Sequence, residues 1–343
     1  MDSLTQVVMG MAIGELTMGK KVGKKALLWG AVAANIPDID GIFQYLFSPA
    51  SSTLFHRGIS HSLLLLVFLA PLVAWGINKI YKGDFKTLKG WFKLVFFAWA
   101  SHLTLDIFNS YGTGLFEPFS HVRIAYDAIG ISDLFFVFPL IVAAIISVIS
   151  RKTSKIPTIM SAVALSLSFL YLGFTIGNKT SLESFAITEL ERQGVHYTRV
   201  LTSPLPITNF AWVIVAEYDS GFWDGQYRTP TEEIIEFNYI PKNHDLASDI
   251  EKTDYFQKLQ RFSKGYYVLR KDTTDGNIIL SDLRFGSFND NNSTNGNLGG
   301  GLNFTLQVDE NNGNLTVDRA HPDRKVTFDN VRNYIKRISK KAS

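Results

Sequence analysis

The chain has 343 residues, 46% of them hydrophobic, a formal net charge of +3 and no cysteine. Without cysteine there are no disulfides and no thiolate metal sites, and no basic stripe with interleaved aromatics points to nucleic acid. The averages hide two unlike halves: residues 1–177 are built from apolar runs, whereas residues 178–343 are polar and mixed. The expected fold class is therefore an α-helical polytopic membrane domain of about six helices over 1–177, followed by a soluble α+β domain over 178–343.

The opening stretch, MDSLTQVVMGMAIGEL, has no basic leader before its apolar run, so no cleaved signal peptide is expected. A membrane span needs about 20 mainly apolar residues, or about 17 at the low end. Such runs fall at 4–18, 26–43, 61–77, 92–109, 132–150 and 157–177. Glu15 interrupts the first and is left open as a pore-facing or partner-facing group. The basic residues gather on alternate loops: Lys20, Lys21, Lys24 and Lys25; Lys79, Lys82, Lys86, Lys89 and Lys93; Arg151, Lys152 and Lys155. The positive-inside rule makes that side cytoplasmic. The N-terminus, the other loops and everything after residue 177 then face outward. Asp2, Asp38, Asp40, Asp106, Glu117, Asp127 and Asp133 fall at or near the outward ends.

Four segments bring carboxylates and imidazoles to that side. Asp38 and Asp40 close the second, in AANIPDIDGIF. His56, Arg57 and His61 open the third, in FHRGISHSLLLL. His102 and Asp106 share one helix face at i, i+4 near the end of the fourth. Asp127 and Asp133 open the fifth. Counted at about 1.5 Å per residue from the opposite edge, Asp38 and Asp106 both lie about 18 Å across. Charge in a bilayer costs several kcal/mol unless it is paired, coordinated or wet. A joint metal site resolves that cost. His with Asp, without Cys, suits a divalent ion, Zn²⁺ first and Mn²⁺ second, in one to three copies. The expected ligands are Asp38, Asp40, His56, His61, His102 and Asp106. Arg57 and Arg123 are expected to hold a substrate anion, and Asp38 or Asp127 to act as general base. Taken singly these residues have plainer readings: a snorkelling histidine, an acidic cap after Pro37, a structural His102–Asp106 hydrogen bond, or Asp133 at a helix start.

The pieces MDSLTQVVMGMAIGE, LLWGAVAANIPDIDGIF, FHRGISHS and SHLTLDIFNSYGTGLFEPFSHVRIAYDAIGISDLFF resemble the YdjM-type membrane-bound metal-dependent hydrolases of bacteria. The resemblance covers residues 1–140, and the combination of pieces is more specific than any one. It implies a polytopic inner-membrane protein with His/Asp metal ligands. It also implies a distant kinship with zinc-dependent phospholipase C, through the order Asp40, then His56 or His61, then His102 with Asp106. The chain has Gln6 where many family members carry His, and further His and Glu ligands of the phospholipase group have no counterpart.

The outward half reads as an amphipathic helix, SLESFAITELERQ, then strands in HYTRVL, FAWVIVAEY, EIIEFNYI, YYVLRK, NIILSDLRF, NFTLQV and NLTVD. Helices are expected over 245–264 and 326–340, and a polar loop over 289–301. His196, His244 and His321 show no metal spacing and read as surface or packing residues. Trp212, Tyr218, Phe222 and Trp223 read mainly as core, with a lid or lipid-facing rim as the alternative.

The function expected is a metal-dependent hydrolase of the bacterial inner membrane, acting on a phosphoester of a phospholipid or lipid-linked substrate. The competing readings are an ion-coupled transporter, which needs acids spaced across the bilayer, and a non-catalytic scaffold, which leaves the His/Asp cluster without a role.

Overall fold

The computed structural model describes residues 1–46, 56–150, 154–228, 234–272, 275–286, 302–308 and 315–319. Its N-terminal region is largely helical, with seven helices among the described residues: α1 (Ser3–Gly14), α2 (Lys20–Val22), α3 (Lys24–Asn35), α4 (Leu63–Ile80), α5 (Phe85–Asp106), α6 (Leu134–Ile149) and α7 (Ile156–Arg192). A π-helical turn, Glu15–Gly19, joins α1 to α2, and 3-10 turns at Pro37–Leu46 and Ile59–His61 lie between α3 and α4. The chain divides into two compact units. Residues up to Gly177, together with Pro206–Thr208, belong mainly to the first; Asn178–Leu205 and the chain from Asn209 onward form most of the second.

Two helices, α4 and α7, are long and apolar enough to cross a membrane by length and composition, while α6 is apolar but shorter. The six segments read from sequence thus become helices of unequal reach. At about 1.5 Å per residue, α1 and α3 are each about 18 Å long, against a hydrocarbon core of about 30 Å. They lie in close contact instead: a Cβ added at Gly10 would strike the Gly30 carbonyl and Ala34, and one at Gly30 would strike the Gly10 carbonyl. Small residues at such a seam let two backbones approach. The core of this unit also gathers Met9, Trp91, Leu94, Trp99, Phe136 and Leu140. Helix starts are capped by side chains: Asp2 accepts from Thr5, Ser62 from Leu65, Asp84 from Thr87 and Asp133 from Phe135 and Phe136. The sixth segment and the amphipathic helix SLESFAITELERQ are parts of one helix, α7, which runs unbroken through 37 residues.

The second unit holds two four-stranded antiparallel sheets, ordered β1-β2-β3-β4 and β5-β6-β7-β8. The strands are β1 (Arg199–Pro204), β2 (Ala211–Tyr218), β3 (Gly221–Arg228), β4 (Phe237–Pro241), β5 (Tyr267–Lys271), β6 (Ile278–Asp282), β7 (Leu302–Val308) and β8 (Leu315–Arg319). Strand periodicity sends alternate residues to opposite faces. Along β5, Tyr267 and Leu269 join Phe256 and Leu259 of α8 (Asp254–Phe262), whereas Val268 joins Val213 and Val215 of β2. Trp212 and Phe222 are core residues, as expected. Strand β3 was not expected, because Gly221, Asp224 and Gly225 are poor strand formers. Its partner carries it: β2 and β3 pair from Tyr218 with Gly221, leaving Asp219 and Ser220 as a two-residue turn. The helix expected over 245–264 is shorter, because Thr253 caps α8 and His244–Ala247 forms a 3-10 turn. The helix expected over 326–340 and the loop over 289–301 lie outside the described residues.

Two polar features anchor this unit. Arg284 is fully buried and grips Asp282 through Nε (3.0 Å to Oδ1) and Nη2 (2.7 Å to Oδ2), with the Phe262 and Phe285 rings against its guanidinium. Glu217 pairs with Arg199 and, at 2.8 Å, with Lys242. Burial raises the Glu217 carboxyl, but the hydrogen bonds from Lys242 and Arg199 outweigh it and hold the group below its ordinary value.

Candidate metal centre

The polar ends of α3, α4 and α5 build the site. Pro37 follows α3 and starts the 3-10 turn that presents Asp38 and Asp40. The turn Ile59–His61 sets His61 just before Ser62, the cap of α4. His102 and Asp106 sit one turn apart at the end of α5, both fully buried.

Hydrogen bonds fix the tautomers of both buried imidazoles. The Nδ1–H of His102 donates to the Ala34 carbonyl at 2.6 Å. Ser60 donates to the Asp40 carboxylate, so its oxygen accepts from His61 Nδ1 at 2.9 Å. Both Nε2 lone pairs are then left bare, and they face each other across 3.1 Å. Carboxylate oxygens close round them. Asp38 Oδ1 lies 3.3 Å from His61 Nε2 and 3.5 Å from His102 Nε2. Asp106 Oδ2 lies 3.4 and 3.5 Å from the same two atoms and is buried with no hydrogen-bond partner. Four electron-rich atoms converging in this way repel one another unless a cation or proton sits between them. For bonds of about 2.0–2.1 Å, ligand atoms around one tetrahedral ion lie about 3.3–3.4 Å apart, close to the separation of either imidazole nitrogen from the Asp38 and Asp106 oxygens.

A second group adjoins the first. Asp38, Asp40 and His56 each offer a ligand atom within 4.8 Å of the others, as do Asp38, His61 and His102. His56 Nδ1 donates to Asp40 Oδ1 at 2.7 Å, which leaves Nε2 facing Asp38 Oδ1 at 3.9 Å. His56 is partly exposed, so this group opens to solvent while the first is enclosed. The two groups could hold a divalent ion, and Asp38 is common to both.

Further partners hold these side chains in place. Asp106 Oδ1 accepts from the Met1 amino group and, at 3.3 Å, from Asn109. Arg57 is buried in a left-handed conformation (φ 64), with its Nε 3.4 Å from Asp106 Oδ2 and its Nη1 donating to Asn109 at 2.7 Å. Arg123 stands one step back and donates to the carbonyls of His56 (3.3 Å) and Gly112 (2.9 Å). Asp127 belongs to neither ligand group among the described residues; the neighbouring Tyr126 and Ala128 amides donate to Ile107 and Phe108. Asp133 caps α6 and accepts from Tyr171 at 3.0 Å. His244 stacks on Tyr267 at 4.3 Å and bonds its carbonyl, a packing role; His321 lies outside the described residues. Sequence reading missed Ser60, Asn109 and the Ala34 carbonyl. Only Ser60 had a signal, its place directly before His61.

The model of the YdjM inner membrane protein family matches residues 1–181. A curated relative, the uncharacterized protein YfhP of Bacillus subtilis (strain 168), is 34% identical over 143 residues. That match covers 39% of this chain and 42% of the relative, so the chain spans less than half the length of the relative it matches. No solved structure matches the chain. The family and the two long apolar helices support a multi-pass inner-membrane location. Matched over more than half its length, the chain belongs to the YdjM inner membrane protein family.

Proposed function

We propose that the protein is a metal-dependent hydrolase whose substrate is a phosphoester of a phospholipid or lipid-linked molecule. The observation that carries this reading is the meeting of His61 and His102 Nε2 at 3.1 Å, ringed by Asp38 and Asp106 oxygens. His61, His102, Asp38 and Asp106 would hold one ion, most simply Zn²⁺, with Mn²⁺ the next fit to this donor set. Asp38, Asp40 and His56 would hold a second, with Asp38 as the shared carboxylate. Such ions supply Lewis acidity, polarising a phosphoryl oxygen and acidifying water.

The chain's own groups do the rest. The half-exposed His56 side gives the substrate its approach. Arg57 already faces Asp106 and Asn109, so its role is to hold Asp106 in position; Arg123, behind His56, is the better candidate for steering an anionic substrate. We place the site and the second unit on the outward face, since the lysine-rich loops satisfy the positive-inside rule on the other. Gathering of the ligands at one end of α3, α4 and α5 favours a hydrolase over a carrier, whose acids would be spaced along a path. The test is metal content of detergent-purified protein by elemental mass spectrometry, wild type beside His102→Ala/Asp106→Ala. Zinc or manganese at one or more equivalents, lost in the double variant, supports the reading and directs a phosphoester screen. A folded wild type that takes up no added metal refutes it.

A further inference from the structure

The lysine-bearing ends of the helices in the first unit lie opposite the His/Asp groups: α3 begins at Lys24 and ends before Asp38, and α5 begins beside Lys86 and ends at Asp106. There a cavity of about 380 Å³ opens between the π-helical turn, α2, the start of α3, the end of α6 and the start of α7. Its volume falls in the range of roughly 300–1,000 Å³ typical of small-ligand sites. Lys20, Lys24, Lys25, Glu15, Ser147 and Ser150 are among its walls.

Four features of these walls point to one ligand chemistry. Among the described residues, no carboxylate forms an ion pair with Lys20, Lys24 or Lys25; the Lys25 ammonium instead lies 4.3 Å from the Tyr81 ring centre. The start of α3 has no side-chain cap, because Gly23 takes its place at φ 62, so the Lys24 and Lys25 amides have no intrahelical partner. Glu15 is buried, with Oε1 accepting from Thr158 at 3.0 Å, and it supplies the carboxylate among the residues that line the cavity. It also sits at the start of a π-helical turn, a departure from α geometry that recurs where helices serve ligands.

We infer that this cavity binds the headgroup of a membrane phospholipid, one that carries both a phosphodiester and a hydrogen-bond donor. The lysines and open amides take the phosphate, and Glu15 takes the donor, either the hydroxyls of a glycerol headgroup or the ammonium of an ethanolamine one. A basic pocket among helices at a membrane face is suited to such an anion. Choline headgroups offer the phosphate without the donor.

The test uses the full chain in detergent, titrated with phosphatidylglycerol, phosphatidylethanolamine, phosphatidylcholine and inorganic phosphate, with retained lipid read by native mass spectrometry. Wild type is compared with Lys20→Gln/Lys24→Gln and with a charge-matched control, Lys86→Gln/Lys89→Gln. The expected result is retention of the glycerol or ethanolamine lipid at least tenfold over the choline lipid, lost tenfold in the first variant and kept in the control. The stronger of the two lipids identifies the donor. Equal loss in both variants overturns the cavity in favour of a general surface charge. Equal retention of all three lipids overturns the role of Glu15. Binding of inorganic phosphate with no lipid retained overturns the lipid assignment.

Discussion

Replacing Ser60 with alanine removes no metal ligand, yet it should weaken metal binding by about 10–100-fold, the usual effect of losing an outer partner. Ser60 links two ligands: it donates to Asp40 and lies 2.9 Å from Nδ1 of His61. His61 is fully buried, so its Nδ1–H would have no water to replace the lost oxygen. An unsatisfied buried donor costs about 1–3 kcal/mol, and the ring would be free to turn or to change tautomer. The expected loss of affinity corresponds to about 1.4–2.7 kcal/mol, in the same range. With free metal at 100 times the wild-type dissociation constant, the ion stabilises the protein by about 2.7 kcal/mol; the variant at that concentration would keep only about 0.4–1.4 kcal/mol. Competition against a chromophoric chelator, in full-length detergent-solubilised protein, measures the affinity, and the metal-induced shift in melting temperature measures the stabilisation. Wild-type affinity in the Ser60→Ala variant would refute the tautomer argument.

Other variants separate packing from chemistry. Gly30→Val should destabilise the first unit by about 1–3 kcal/mol, because its Cβ would strike the Gly10 backbone; metal affinity should fall too, since Ala34 at that seam holds His102. Gly76→Ala, in the interior of α4 with nothing within 4 Å of the added carbon, should instead raise stability by about 0.5–1 kcal/mol in the same melting assay. Asp282→Ala should cost about 3–5 kcal/mol by removing the carboxylate that pairs with the buried Arg284, and faster hydrogen exchange in β5 and β6 of the intact chain would report it. Because the Glu217 carboxyl is held below its ordinary value, its contribution to stability is complete above about pH 4.3 and is lost as pH falls through the lower folded-state value. Glu217→Gln should therefore flatten the acid limb of the second unit's unfolding, followed by exchange in β2. Metal affinity should itself fall on acidification, since imidazoles bind metal only when neutral.

The clustering of these side chains was legible because their residue types are costly in an apolar setting, and because His102 and Asp106 carry their own helical spacing. The structure brought Asp38, Asp40, His56, His61, His102 and Asp106 together. Their supports were not legible. Asn109 looks like any polar residue after a helix, and a carbonyl such as that of Ala34 has no letter of its own. The position of Arg57 depends on a left-handed backbone that its sequence neighbours do not announce. Hydropathy alone made the helices look alike, whereas length separates α1 and α3 from α4 and α7. In the second unit, alternation located β2 and β5 but could not reveal β3, whose glycines are tolerated only because β2 and β4 flank it.

The candidate ligands all come from residues 38–106, and the partners that orient them end at Arg123. A growing chain would therefore have made every donor before α6, α7 or any strand exists. An ion captured then would tie the ends of α3 and α5 to the turn before α4 during insertion into the bilayer. Metal starvation would then appear first as a defect in biogenesis, with chains arrested or degraded before the sheets are completed, and only later as a loss of turnover. Pulse-labelled chains made with and without a permeant chelator would show it as a difference in lifetime.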